Sequence, residues 1–259
     1  MTKNVTDKSK VLALILGLTM CLALMLGIAM ASPTSTVYAE GGTGTTGGLT
    51  IGGTTSSSGE GYSYDGATQT LTLNGYNGKE IMFSGSTIKV EGENTITVDK
   101  TSKTFDAFDY SYYVGIGSMG AVTITGSGSL AINIDKTDIT NQPYGIWTYR
   151  DLTINGGNIT IGKDVDNGRW EIGLYSQAGS ISVVGKASLD VTATWSAIYA
   201  SREKITLAGE GNKKILINKE GKNYQANGIY AGSGEVDISG VDSPDKGKVT
   251  CLFSNSGGA

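Results

Sequence analysis

The chain contains no histidine. That absence excludes Ser-His-Asp and Cys-His catalysis, histidine-ligated zinc and any proton transfer through imidazole. Cysteine is nearly as scarce. Of the two present, Cys21 sits inside an apolar N-terminal run and Cys251 is the only one beyond it. The part after that run therefore has no internal disulfide, and packing and backbone pairing must hold it together. Positive charge is in deficit as well, with 20 Lys and Arg against 24 Asp and Glu. An acidic chain without a Lys/Arg stripe is poorly suited to phosphate backbones, which argues against nucleic acid as a partner.

What is present begins with a targeting pattern. Lys3, Lys8 and Lys10 precede an uncharged apolar run from Val11 to Ala31, and the small-residue cleavage pattern "VYA" follows at Val37 to Ala39. Residues 1–39 read as a secretory signal peptide, with an uncleaved bilayer-spanning anchor as the alternative. Cys21 follows "LTM", which lacks the small residue expected before a lipoprotein cysteine, and reads as signal filler. The segment carries three lysines and Asp7, a net +2, so the chain's −4 becomes −6 for residues 40–259. The expected location is extracellular, secreted or on the cell surface.

Residues 40–60 are mostly Gly, Thr and Ser and read as a linker, in which "LTI" at Leu49 to Ile51 has the means to add one strand. Alternating Tyr62 and Tyr64, then Asp65-Gly66, then alternating Leu71 and Leu73 predict a hairpin that leads into and caps a larger structure, the domain as a whole being residues 61–259. From there the chain repeats. Units open at Gly115, Gly145, Gly173, Ala197 and Gly228, each followed by Ile or Leu and then by two short alternating runs. In the unit at Gly145 the apolar positions are Ile146, then Leu152 and Ile154, then Ile159 and Ile161. Leu71, Leu73, Ile81, Phe83, Ile88, Val90, Ile96 and Val98 form an irregular earlier unit.

A unit with three short strands cannot bury its own apolar face and must stack on its neighbours. The expected fold is all-β, a single-stranded parallel β-helix of about six coils, roughly 30 Å long at the usual strand spacing. Corners such as "NGG" at Asn155 to Gly157 and "GSG" at Gly126 to Gly128 are expected to supply positive φ. A sandwich or barrel shares the alternation but does not explain the recurring Gly-Ile start. The closing "SNSGGA" is either a short cap or the point where a longer chain continues, because solenoid ends need closing.

The segment "DLTINGGNITI", Asp151 to Ile161, together with the Gly-Ile starts, resembles the secreted β-helical carbohydrate-binding domain proteins of Gram-positive bacteria. The resemblance spans roughly Gly61 to Phe253 and is specific in that one rung. It implies a right-handed parallel β-helix outside the cell that binds plant-type or other acidic polysaccharides, in some members with calcium. No ligand motif of the family maps onto numbered positions. Unit length varies here, and Gly117 stands where other units have an aromatic residue.

The residue after each inward Ile or Leu should face outward, and those positions hold Gly117, Trp147, Tyr175, Tyr199 and Tyr230. A second aromatic column is expected in the turn before each start: Tyr112 and Tyr113, Tyr144, Trp170, Trp195 and Tyr224. Aromatic faces stack on the apolar faces of sugars, so Trp147, Tyr175, Tyr199, Tyr230, Tyr144, Trp170 and Trp195 are the candidate carbohydrate-binding residues. The plainer reading is that the rings stabilise the sheet by pairing, at about 0.2–1 kcal/mol per pair. The segment "TFDAFDYSYYV", Thr104 to Val114, interrupts the repeat. It is either a binding loop or a lid in which Phe105 and Phe108 cover an exposed edge of the first coil.

Asp135, Asp138, Asp164 and Asp166 gather after the third strand of two adjoining units, with Glu171 nearby. Calcium takes six to eight oxygens and is the candidate metal there, against ordinary solvated turn acids. Arg150 and Arg202 occupy equivalent positions, each followed by an acid, but the unit between them has Ala178. A uronate lyase needs a basic residue and calcium, and a hydrolase needs two carboxylates at fixed separation. The arginines read better as surface ion-pair partners. The expected function is non-catalytic polysaccharide binding outside the cell, with a structural or adhesive stalk as the first alternative and a calcium-dependent uronate lyase as the second.

Overall fold

The computed structural model describes residues 48–108, 110–135, 139, 141–162, 171–219, 227–232, 235–239 and 249–255. The expected signal peptide lies outside the described residues. The chain opens with β1 (Leu49–Ile51), β2 (Ser58–Gly59), β3 (Tyr62–Asp65), β4 (Thr70–Asn74) and β5 (Asn77–Gly78). Next come β6 (Ile81–Phe83), β7 (Thr87–Glu91) and β8 (Glu93–Val98), then β9 (Phe105–Ala107) and β10 (Tyr110–Ser118). The repeat continues through β11 (Val122–Gly126), β12 (Ser129–Ile134), β13 (Pro143–Thr148), β14 (Leu152–Ile154) and β15 (Asn158–Ile161). It runs on through β16 (Ile172–Ser176), β17 (Ile181–Val183), β18 (Ser188–Ala193), β19 (Ser196–Ala200), β20 (Ile205–Leu207) and β21 (Lys213–Lys219). The last strands are β22 (Asn227–Ala231), β23 (Val236–Ile238) and β24 (Val249–Asn255).

Successive strands visit three sheets in turn. One sheet runs β1-β6-β10-β13-β16-β19-β22, the second β2-β3-β4-β7-β11-β14-β17-β20-β23, and the third β5-β8-β12-β15-β18-β21-β24. With the added β9 left out of the count, each strand from β6 to β21 pairs in parallel with its counterpart three elements later. The protein is therefore all-β with parallel sheets and, among the described residues, no helix, an arrangement compatible with a β-solenoid.

Inward columns follow from the register. Ile116, Ile146, Leu174 and Ile198 align in the first sheet, Ile124, Ile154, Val183 and Leu207 in the second, and Ile132, Ile161, Val191 and Ile215 in the third. All are buried. Each such side chain contributes about 1.5–3 kcal/mol when buried, and a one-residue slip would turn a whole strand's set outward.

The recurring glycine before the inward residue has a steric cause. The pairing passes from Val114↔Tyr144 directly to Ile116↔Ile146, over Gly115 and Gly145. A Cβ at Gly145 would lie 2.4 Å from Ile161 Cγ2 and 2.7 Å from the Gly173 carbonyl oxygen. Gly115 and Gly173 meet Ile132 and Val191 in the same way. These glycines and the following Ile or Leu both face the interior. The expected corner conformations occur at Gly126 (φ 110°) and Gly157 (φ 77°).

The segment read as a linker holds more than spacer. Leu49 (1% exposed) and Ile51 (7%) of β1 join the core, antiparallel to Phe83 and Ile81. The two apolar residues of "LTI" are enough to extend the first sheet, and the folded part begins before Gly61. The predicted hairpin is β3–β4, antiparallel, with Asp65 accepting from the Ala67 amide (2.9 Å) and the Thr68 hydroxyl (2.8 Å) to close the turn. Tyr62 and Tyr64 set their rings edge-on against Tyr76 and Phe83. At this end the first and second sheets thus finish in antiparallel strands.

Candidate functional site

The outward column forms as expected. Gly117, Trp147, Tyr175, Tyr199 and Tyr230 align one per strand across β10, β13, β16, β19 and β22. Their rings stack. Trp147 and Tyr175 lie 5.9 Å apart between centroids at 28°, Tyr175 and Tyr199 5.6 Å at 25°, Tyr199 and Tyr230 4.5 Å at 20°. Rings side by side in one plane would need greater separation, because their edge hydrogens collide. The near-parallel planes at these separations make an offset stack in which neighbouring rings partly cover one another's faces.

The gap at Gly117 is filled from elsewhere. The β9–β10 hairpin folds back over the sheet, and Phe105 (2% exposed) occupies the space above Gly117, where a Cβ would be 2.7 Å from the Phe105 ring. Phe105 packs on Trp147 at 4.9 Å, and Tyr112 stacks on Trp147 at 6.0 Å. The hairpin covers the sheet at Gly117 and Trp147, which meets the lid expectation for Phe105 but not for Phe108. Phe105 covers the sheet, whereas Phe108 (53% exposed) takes φ 51° at the tip and leans on Tyr149.

This covering corrects the open-platform expectation at two positions. Trp147 is 1% exposed and Tyr144 6%, so neither presents a face to a ligand. Tyr144 turns edge-on to Tyr112 and Tyr175 instead. Tyr175 and Tyr199 are half-buried, and Tyr230 is 37% exposed, so the column emerges progressively from beneath the hairpin.

Among the described residues the second aromatic column does not form. Tyr144 lies within β13 rather than in a turn, in register with Val114 and Ile172, and that row continues as Ser196 and Asn227. Unequal unit lengths place the aromatic residues before each start at different register positions. Trp195 precedes its row by one residue, and its half-buried ring stacks on Tyr199 at 5.4 Å. Trp170 and Tyr224 lie outside the described residues.

Burial pushes the Tyr175 phenol up to about 12, with the neighbouring Tyr199 adding to the rise. Tyr144, Tyr112 and Tyr199 are raised by burial too. The Tyr175 hydroxyl donates to Gln177 Oε1.

Of the acidic candidates, Asp135 is exposed, while Asp138, Asp164 and Asp166 lie outside the described residues. Among the described residues no group of three or more His, Cys, Asp or Glu side chains is assembled for a metal. Glu171 is wholly buried, with its amide donating to Thr194 Oγ1 at 3.1 Å. The Arg150 guanidinium lies 6.0 Å from the Tyr149 ring centroid, a cation–π contact.

Three features escaped the sequence reading. Thr148 and Ser176 are adjacent in register and buried, and both hydroxyls donate to the Arg150 carbonyl, at 2.8 and 2.9 Å. Lys213 takes the inward place after Leu189, and its ammonium donates to the carbonyls of Ala208 (2.7 Å) and Gly211 (2.6 Å). Glu80 is 1% exposed, and neither carboxylate oxygen has a hydrogen-bond partner among the described residues. A hydroxyl column is readable from the Ser118, Thr148 and Ser176 spacing. The two buried charges have no periodic signal.

The chain matches no family model, no curated protein and no solved structure in the comparisons made with each.

Proposed function

We propose that the protein is an exported, non-catalytic polysaccharide-binding module built as a right-handed, single-stranded parallel β-helix of about six coils. The observation that carries this reading is the emerging end of the aromatic column. Tyr230 is more than a third exposed beside half-buried Tyr199, against which Trp195 stacks. Tyr and Trp combine a large apolar face with a polar edge, the chemistry that holds a sugar ring. The likeness of Asp151 to Ile161 to secreted β-helical carbohydrate-binding domains supports the same reading, and the acidic turns at Asp135, Asp138, Asp164 and Asp166 are its calcium arm. Pull-down on insoluble cellulose, xylan and calcium-pectate gel tests it. Depletion of the protein by at least one of them is expected, and recovery in the supernatant with all three contradicts it.

A structural role is the second reading, favoured by the mutual covering of ring faces and by the burial of Trp147. On that reading the stack only stiffens the rod, and no polysaccharide depletes the protein. A uronate lyase would release unsaturated products that absorb in the ultraviolet when pectate and calcium are supplied, and none is expected.

A further inference from the structure

We infer that the tip of the β9–β10 hairpin is a further sugar contact, at which a pyranose ring stacks on Phe108 while the Arg150 guanidinium donates to its hydroxyls. This rests on the polysaccharide-binding reading above and adds a contact to it. The place lies within the first sheet, with β6 on one side of β10 and β13 and β16 on the other.

Phe108 stands where folding alone would not put it. Ala107 and Tyr110 pair across the hairpin, so residues 108 and 109 make its turn. Phe108 takes φ 51°, in the left-handed region that Gly, Asn and Asp adopt readily and bulky side chains avoid. Two-residue turns of this hand favour Asn, Asp or Gly for that reason. Its ring is also 53% exposed, so burial offsets little of the strain. Anchoring of the hairpin does not account for it. That is done by Phe105 in the space above Gly117, by Tyr112 on Trp147, and by Asp106 accepting from the Ser111 hydroxyl. A strained backbone that holds an aromatic ring out to solvent points to a ligand.

Beneath the tip, the corner between β13 and β14 is fixed by hydrogen bonds. The Tyr149 amide donates to the Ser118 carbonyl (2.9 Å), and the Tyr149 carbonyl accepts from the Ala178 amide (2.8 Å). The Arg150 carbonyl takes the buried Thr148 and Ser176 hydroxyls, and the Gly179 amide in turn donates to Ser176 Oγ (3.0 Å). Asp151 accepts from the Ser180 amide on the next rung (2.7 Å). On this base the half-buried Tyr149 ring touches both partners, Phe108 at 5.1 Å and the exposed Arg150 guanidinium at 6.0 Å. The 48° tilt between Phe108 and Tyr149 keeps the two rings from lying flat on one another.

The face of an aromatic ring carries the negative side of its quadrupole and attracts weakly positive C–H groups. A pyranose with equatorial hydroxyls offers a face made of such groups. Its rim carries the hydroxyls, and the planar fork of a guanidinium suits two neighbouring ones. The contact with Tyr149 orients that fork while leaving its N–H groups free to donate in the ring's plane. Phe108 therefore supplies the stacking surface and Arg150 the polar grip.

Calorimetric titration with cellohexaose, xylohexaose and hexagalacturonate tests the contact. For each oligomer that binds, Phe108→Asn and Arg150→Gln should each raise Kd by about tenfold or more. Lys186→Gln, an equal charge change at the exposed turn between β17 and β18, should stay within about threefold of the wild type. Asn suits the left-handed turn, so the urea midpoint of Phe108→Asn should equal or exceed that of the wild type. A lowered midpoint with unchanged affinity makes Phe108 a structural anchor and overturns the inference while leaving polysaccharide binding intact. Equal weakening by Arg150→Gln and Lys186→Gln overturns it too, since only net charge would then matter. Retention on an insoluble polysaccharide without binding of any oligomer also overturns it, and failure of both measurements removes the reading on which it rests.

Discussion

The Phe105 ring stands where a side chain on Gly117 would stand. An added Cβ at Gly117 would come within 2.7 Å of Phe105 Cδ2 and 3.0 Å of Val114 Cγ2. The aromatic column is thereby continued past its missing member by a residue from another strand. Gly117→Ala should displace Phe105 and destabilise the protein by about 1–3 kcal/mol, the cost of overpacking a filled site. Tryptophan emission should shift to the red as Trp147 is uncovered. Adding Phe105→Ala should cost less in the Gly117→Ala background than in the wild type, by about 0.5–3 kcal/mol of coupling. Strict additivity in the double-mutant cycle would mean the two residues do not share that space.

Gly145→Ala tests the close approach beneath the repeat. The new Cβ meets a backbone oxygen, Gly173 O at 2.7 Å, as well as Ile161 at 2.4 Å. A backbone atom held by sheet pairing on both sides cannot swing away like a side chain. The expected cost is at or above the upper end of about 1–3 kcal/mol, read as a drop in the urea midpoint. A midpoint unchanged from the wild type would show that the rungs separate easily here.

The N-terminal end should be acid-sensitive. Lys79 bonds the Asp99 carboxylate, which also accepts from the Thr101 amide (2.8 Å) and hydroxyl (2.6 Å). Those bonds, led by that from Lys79, hold the Asp99 carboxyl at about 2, below its ordinary 3.8. A depressed carboxylate stabilises the folded state above its unfolded pKa, and the gain is lost as pH falls from about 4 through 2. Lys79→Met should flatten that part of the curve of urea midpoint against pH, and an identical acid slope in the variant would contradict the assignment.

The opposite limb belongs to the ring column. Burial raises the Tyr175 phenol from 10.0 to about 12. A raised phenol leaves stability complete below pH 10, and stability declines as pH climbs through about 12, because the unfolded chain ionises first. Tyr175→Phe should lessen the loss of stability across that interval, followed by urea midpoints at stepped pH.

Lys213 stands in the third-sheet row between Leu189 and Val249 and donates from its ammonium to two carbonyls. Lys213→Met keeps the apolar stem and removes the donors. Leaving the half-buried Ala208 and Gly211 oxygens without that partner should cost about 1 kcal/mol in chemical denaturation. A neutral or stabilising substitution would mean that desolvating the charge outweighs those bonds.

Much of the architecture was legible because it rests on period-two patterning. Ile124, Ile154 and Val183 line one column because each recurs at the same place in its unit, and the outward sequence Trp147, Tyr175, Tyr199 and Tyr230 follows from the same count. Exposure was not legible, since facing outward from a sheet says nothing of what folds across it. Trp147 is buried by a hairpin whose return path depends on the size of Gly117. The row containing Tyr144 misled for a related reason: register is set by backbone pairing, which puts Tyr144 beside Val114 and Ile172 whatever aromatic residues lie nearby in sequence. The strand at Leu49 to Ile51 was legible as a possibility, because a Gly- and Thr-rich stretch needs only those two apolar residues to join a core already assembled by its neighbours.

Affinity electrophoresis tests the central claim most directly, with the wild type and Trp195→Ala/Tyr230→Ala run through gels containing pectin, polygalacturonate, xylan or hydroxyethyl cellulose, each with calcium and with chelator. Retardation of the wild type by at least one glycan, lost in the folded double variant, is the predicted result, and sensitivity to chelator would assign the acidic turns to calcium. Equal mobility of the two proteins in every gel would contradict a glycan site at the emerging end of the column.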